Sequence, residues 1–149
     1  MLLTLVSDIS AQSLVQNSGT NENRAFRWLV DDDEARVCPE DTIDVVQRYV
    51  LALLYFSTNG DDWNECNAAS ASDASGCASL SERYLSSANV CDWFGSECDD
   101  NVNLSEISIG ECLPMSAYGI PHKLSPGYND SNTMLISLSF ITFIICRRK

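Results

Sequence analysis

Cys91-Asp92-Trp93-Phe94-Gly95-Ser96-Glu97-Cys98 is followed, after a short polar gap, by Leu104-x-x-Ile107-x-Ile109 and further on by Gly119-Ile120-Pro121-x-x-Leu124. Two cysteines bracket a tryptophan and a glycine just ahead of apolar residues at strand spacing. That order reads as a cap followed by the first strand of a stacked sheet. Leu104 to Ile109 is expected to be extended, with Glu106 and Ser108 facing away from the apolar interior.

Working outward, a chain of 149 residues with 45% hydrophobic content suffices for one domain with a modest core. The formal net charge is −12, and it is unevenly spread, because the last three residues, Arg147, Arg148 and Lys149, are all basic. No positive patch exists to displace counterions from phosphate, which argues against nucleic-acid binding.

Seven cysteines in a small acidic chain exceed what a reducing cytosol usually holds, and none forms the Cys-x-x-Cys knuckle of zinc or thioredoxin-like sites. Disulfides are the better reading. The short loop favours Cys91 with Cys98. Cys66 with Cys77 brackets an Ala/Ser/Asp run, Asn67 to Gly76, that needs a staple. Each bridge stabilises by roughly 2–4 kcal/mol, less for the shortest loops. The odd count leaves one thiol unpaired, and Cys146 is the expected one. Asn103-Leu104-Ser105 and Asn129-Asp130-Ser131 fit the N-glycosylation pattern and suit the same compartment. Met1 to Val6, however, is a poor signal peptide, with no preceding basic residue and an early Asp8. Either a segment upstream directs secretion or the oxidising assignment fails.

Residues 1–19 read as an irregular or partly helical lead. Thr20 or Asn21 can cap a short helix carrying Ala25, Trp28 and Leu29 on one face, with Arg24 and Arg27 outward. Asp31-Asp32-Asp33-Glu34 reads as a solvated acidic turn, since the ligand spacing and central glycine of a calcium loop are missing. The strongest helix follows Pro39, with Glu40, Asp41 and Asp44 near its N-terminus. Ile43, Val46, Val50, Leu53 and Leu54 make one stripe, widened by Val45, Tyr49, Ala52 and Phe56. Asn59-Gly60 stops it. Trp63 is expected to fold back on the helix end, core packing being favoured over carbohydrate stacking. Leu80, Tyr84 and Leu85 anchor the stapled loop that follows.

The tail, Thr133 to Cys146, is apolar and ends in bases, like a stop-transfer signal. Its 14 residues rise only about 21 Å as a helix, against a hydrocarbon core near 30 Å. Alternatively, Leu135-x-x-Leu138-x-Phe140 repeats the Leu104-x-x-Ile107-x-Ile109 spacing, which would make the tail a broken second repeat. Read-through sequence is a third option.

Taken together, the chain resembles the N-terminal region of plant-type leucine-rich-repeat proteins, most closely the microalgal receptor-like members. The carriers are Arg24-Ala25-Phe26-Arg27-Trp28-Leu29, the block from Gln47 to Trp63, the Cys91-x-Trp93-x-Gly95-x-x-Cys98 clamp and Gly119-Ile120-Pro121-x-x-Leu124. The resemblance implies an α+β fold: a helical, disulfide-stapled N-terminal cap followed by the first strand or strands of a truncated leucine-rich-repeat solenoid. It implies that the clamp cysteines pair and close the exposed first edge of the sheet, that Trp93 packs under them, and that Gly95, Trp63 and Trp28 complete the cap. The corresponding division is lead 1–19, cap 20–100, first repeat 101–127, and degenerate repeat or hydrophobic tail 128–149. Gly119 directly precedes Ile120, a departure from the family's Gly-x-Ile-Pro, and with at most two repeats the chain reads as a fragment or decayed copy.

The functional expectation is a non-catalytic recognition module, extracellular or membrane-tethered, whose full-length relatives bind protein, peptide or glycan. Glu106 and Ser108 would lie on the concave face. No cofactor, metal or nucleic acid is expected; membrane association would run through Thr133 to Cys146 or a missing upstream span. A small secreted cysteine-rich effector or inhibitor is the alternative. An enzyme is disfavoured, because His122 is the sole histidine and no Gly-x-Ser-x-Gly elbow or phosphate loop occurs.

Overall fold

The computed structural model describes residues 1–69 and 77–109, together with the strands over 133–138 and 141–146. Of the expected first repeat, residues 110–127 lie outside the described residues, and with them Cys112, Gly119-Ile120-Pro121-x-x-Leu124 and His122; Asn129 does too. The chain divides into two units, Met1–Phe94 and Gly95–Lys149.

The first unit is helical. Helix α1 spans Leu2–Ser7, α2 Gln12–Val15, α3 Asn21–Arg27 and α4 Thr42–Ser57. The lead is thus partly helical, and it is packed: α1 lies against α4, while Val6 and Val15 are buried. Tyr49 on α4 donates a hydrogen bond to Ser10 Oγ at 2.8 Å, which fixes the turn between the two short helices. Thr20 caps α3 by accepting from the Asn23 N–H at 3.2 Å, and its hydroxyl donates back to Leu14 O at 2.6 Å. A wider, π-type turn over Trp28–Asp32 then carries the chain to Asp33.

Helix α4 runs for 16 residues and is the axis of this unit. The stripe expected from apolar spacing is rotated. Ile43 is 57% exposed and Val46 and Leu53 are only half-buried, whereas Val45, Arg48, Tyr49, Ala52 and Tyr55 form the inward row, with Gln47, Val50, Leu51 and Leu54 also buried. The inward row keeps i, i+3, i+4, i+7 spacing, but one of its members is an arginine, which a hydrophobicity pattern assigns to the outside. The helix ends as expected: Asn59 takes the left-handed conformation at φ 56°. Gly60 lies so close to the Tyr55 ring that a Cβ would come within 2.2 Å of it.

The second unit is a sheet of order β1-β2-β4-β3, with β1 Ser96–Cys98, β2 Leu104–Ile109, β3 Thr133–Leu138 and β4 Ile141–Cys146. Strand β2 has the expected bounds. It pairs antiparallel with β1, Ser96 opposite Ile107, Glu97 opposite Glu106 and Cys98 opposite Leu104. Ser105 is therefore the extra residue of a bulge, which reverses the alternation of faces. That is why Leu104 and Ile107, three positions apart, are both buried. Downstream of the bulge Glu106 and Ser108 share one parity and are half-buried.

The tail is two strands rather than a helix, and among the described residues no helix is long and apolar enough to cross a membrane. Nor does Leu135-x-x-Leu138 set a second strand beside the first. A stacked repeat would place β3 parallel to and next to β2; instead β3 is antiparallel to β4, and the parallel neighbour of β2 is β4, with Glu106 opposite Thr142 and Ile109 opposite Ile145. Connection length explains both. Two residues between β3 and β4 permit only a hairpin, whereas a parallel pair needs a dozen or more connecting residues, as lie between β2 and β4. The architecture is α+β, and a leucine-rich-repeat solenoid is not what these strands display.

Gly95 opens β1 at φ +74°, and its carbonyl accepts from the Ser108 N–H at 2.7 Å, extending the ladder by one bond. A Cβ there would sit 2.1 Å from Ser108 O. Gly95→Ala should accordingly cost about 1–3 kcal/mol, because the left-handed backbone and the backbone clash both oppose a side chain. Chemical denaturation reads this directly, and an unchanged midpoint would remove the requirement for glycine.

Candidate functional site

The best-organised group of side chains surrounds Arg48. Its guanidinium donates from Nε to Asp33 Oδ2 at 2.6 Å and from Nη2 to Asp33 Oδ1 at 2.5 Å, a two-pronged pair whose side chains are 3% and 1% exposed. The remaining donors reach across the unit: Nη1 to Ala88 O at 2.9 Å and Nη2 to Ser86 O at 2.7 Å. Asp33 Oδ1 also accepts from the Ala35 N–H at 3.0 Å. The acidic run is therefore not a uniformly solvated turn. Asp31, Asp32 and Glu34 are exposed as expected, but Asp33 is inside, because a buried guanidinium requires a carboxylate beside it.

Arg48 also faces aromatic rings, lying 5.4 Å from the centroid of Trp28 and 5.1 Å from that of Trp93. From there a continuous series of ring contacts runs through the unit. Trp28 meets Trp93 edge-on at 6.1 Å, Trp93 meets Tyr84 at 5.3 Å, Tyr84 meets Trp63 at 4.8 Å and Tyr55 at 5.9 Å, and Tyr55 meets Phe56 at 5.6 Å. Three of the four expected cap residues, Trp28, Trp63 and Trp93, are thus joined, with Tyr84 as the hub that spacing alone did not single out. Leu80, expected as an anchor beside Tyr84, is 51% exposed; its short helical turn points it outward. Trp63 folds back as expected, its Nε1 donating to Thr58 O at 3.4 Å, and its ring is spent on Tyr55 and Tyr84.

Among the described residues two disulfides are present. Cys66 and Cys77 pair as expected, and Cys91 and Cys98 are both disulfide-bonded. They indicate an oxidising, extracellular-type environment. Cys38 is a free, exposed thiol; the side chain of Cys146 lies outside the described residues.

A cavity of about 210 Å³ opens beside Arg48, lined among others by Ala35, Val37, Asp44, Ser87 and Asn89. Two of its polar side chains are committed: Arg48 as above, and Asn89, whose Oδ1 accepts from the Cys91 N–H at 2.9 Å. In the second unit, Asn103 of the first glycosylation triplet is held by Asp99, through its N–H at 2.8 Å and its amide at 3.3 Å. The Asn103 N–H, with help from Asn101, holds the Asp99 carboxyl below the usual range.

No family model matches the chain, and neither a curated protein nor a solved structure was found to be similar to it.

The buried pair yields a double-mutant test. Asp33→Leu should cost about 3–5 kcal/mol, since it strands the guanidinium, whereas Asp33→Leu combined with Arg48→Met should lose far less than the sum of Asp33→Leu alone and Arg48→Met alone. Additive losses in urea denaturation would show that the two side chains act separately.

A second test is alkaline. Burial, with the Asp61 carboxylate that accepts the Tyr55 hydroxyl at 2.7 Å, pushes Tyr55 up from 10.0 to about 12; burial also raises Tyr49. A group that holds its proton more tightly when folded contributes fully below its unfolded pKa. Stability should therefore hold up to about pH 10 and fall between pH 10 and 12. Ultraviolet titration should show Tyr49 and Tyr55 ionising last, together with unfolding; all tyrosines ionising near pH 10 in the folded protein would contradict it.

Proposed function

We propose that the chain serves as the terminal cap of an extracellular recognition protein and performs no chemistry itself. The observation that carries the reading is the short antiparallel strand Ser96–Cys98 laid on Leu104–Ile109, with disulfide-bonded Cys98 at its end. An irregular three-residue strand with a bulge opposite it is a poor template for further pairing, which is how an open sheet edge is blunted. The other side of Leu104–Ile109 takes a parallel partner, here β4 of the hairpin, so that edge is open to the kind of pairing by which a stacked array would be joined.

The aromatic series and the buried ion pair support the same role, since together they tie the helices and loops of Met1–Phe94 to one another. Glu106 and Ser108, on one parity of the strand, are the positions from which a protein, peptide or glycan would be contacted.

Fusing residues 1–109 ahead of a leucine-rich-repeat array stripped of its own cap tests this. The fusion should be monomeric and should melt several degrees above the uncapped array. An array that still aggregates, with its melting temperature unmoved, would overturn the capping role.

A further inference from the structure

Cys66 Sγ, Cys77 Sγ and a carboxylate oxygen of Glu82 lie within 4.8 Å of one another. Glu82 Oε2 is 4.0 Å from Cys66 Sγ. A bridged sulfur has no proton to donate, so the closeness is a contact and not a hydrogen bond. What holds the carboxylate there is backbone: the Ala78 N–H donates to Glu82 Oε2 at 2.8 Å, and the Tyr84 N–H donates to Cys66 O at 3.0 Å. These two bonds tie residues 66, 78, 82 and 84 together without passing through the sulfur link. Opening the bridge would therefore leave two thiols, 0% and 4% exposed as cysteines, beside a half-buried carboxylate.

We propose that the reduced chain binds one zinc ion through Cys66, Cys77 and Glu82, and that this site and the disulfide are alternative states of the same residues. Two thiolates and one carboxylate are the donor set of a borderline-soft divalent cation, and three protein ligands leave a fourth, tetrahedral position for water. Zn–S bonds of about 2.3 Å at tetrahedral angles place the two sulfurs roughly 3.8 Å apart. The Cα atoms, 5.1 Å apart, allow that by rotation of the cysteine side chains.

The chemistry balances in two steps. A small dithiol gives two electrons and two protons to the bridge; its own sulfurs close to a cyclic disulfide, and Cys66 and Cys77 become thiols. Zinc then replaces the two thiol protons, which leave to solvent, while the Glu82 carboxylate joins as the third ligand. In the oxidised chain the sulfurs are bonded to each other and offer no thiolate.

The test uses the full chain, reduced with a dithiol, freed of it under argon, and titrated with zinc alone against a chromophoric chelator, or with cobalt alone for its thiolate absorption. One metal per chain is expected after reduction and none before. Cys66→Ser should abolish that uptake, Cys91→Ser with Cys98→Ser should leave it, and Glu82→Gln should weaken it roughly 10-fold or more. Gln keeps an acceptor for the Ala78 N–H, so this variant separates ligation from folding. Bound zinc should also slow re-formation of the Cys66–Cys77 bridge, read by mass mapping. Equal uptake by oxidised and reduced chains, or affinity unchanged by both Cys66→Ser and Glu82→Gln, would overturn the proposal.

Discussion

The first unit depends on a guanidinium buried inside a helical body. Arg48 cannot be left there unpaired, because desolvating a lone cation costs far more than any single contact returns. Asp33 must therefore come in from the acidic run, and the wide turn over Trp28–Asp32 is what delivers it. The two carbonyls that take the remaining prongs, Ser86 O and Ala88 O, must also be presented to it. One side chain thus ties α4 to two segments distant in sequence, the acidic run and Ser86 to Ala88. Arginine alone has the planar fork for this; a lysine has a single nitrogen to divide among four acceptors.

Such a pair adds little net stability over a well-packed apolar replacement, and the aromatic series supplies packing around it. Trp28, Trp93, Tyr84, Trp63, Tyr55 and Phe56 come from five stretches of chain and touch in sequence, edge-on or tilted except where Tyr84 stacks on Tyr55 at 20°. Each edge-to-face contact is worth about 0.5–1.5 kcal/mol beyond area burial. The Arg48 guanidinium faces two of these rings, so the polar and apolar parts of the core meet at Trp28 and Trp93. Gly60, pressed on Tyr55, shows how closely the far end is filled.

Much of this was legible in the residues. The α4 helix, its Asn59-Gly60 stop, the Thr20 cap, the return of Trp63, the Cys66–Cys77 staple and the bounds of β2 all follow from local signals with fixed chemistry: caps, left-handed residues, short cysteine loops and extended apolar spacing. What escaped was non-local. A hydropathy stripe puts Ile43 inside and Arg48 outside, because it weighs each side chain alone and has no place for a carboxylate fifteen positions earlier. Apolar spacing read Leu104-x-x-Ile107 and Leu135-x-x-Leu138 as equivalent. The first is reconciled with a buried face only by a bulge at Ser105, and the second belongs to a hairpin whose two-residue connection excludes a parallel stack. Tyr84 carries no local signal of its role as hub.

The two bridges enter where the core gives out. Between Trp63 and Tyr84 the chain is mostly Ala, Ser and Asp, side chains that bury too little apolar area to offset the entropy of ordering them. Closing Cys66 to Cys77, 11 residues on, removes roughly 3 kcal/mol of that entropy from the unfolded chain and adds no contact that the sequence could not otherwise make. The backbone bonds from Ala78 to Glu82 and from Tyr84 to Cys66 hold the neighbouring residues in place once the loop is closed. Cys91 and Cys98 lie on either side of Trp93 and Gly95, where a wholly buried indole is followed at once by a glycine in the left-handed region. A bridge at such a place limits the freedom of the segment just where the backbone has least intrinsic preference for the conformation it adopts. The sulfur links therefore act on the unfolded ensemble, while Arg48 and the aromatic rings choose among the folded ones, and the two kinds of constraint are distributed so that neither duplicates the other.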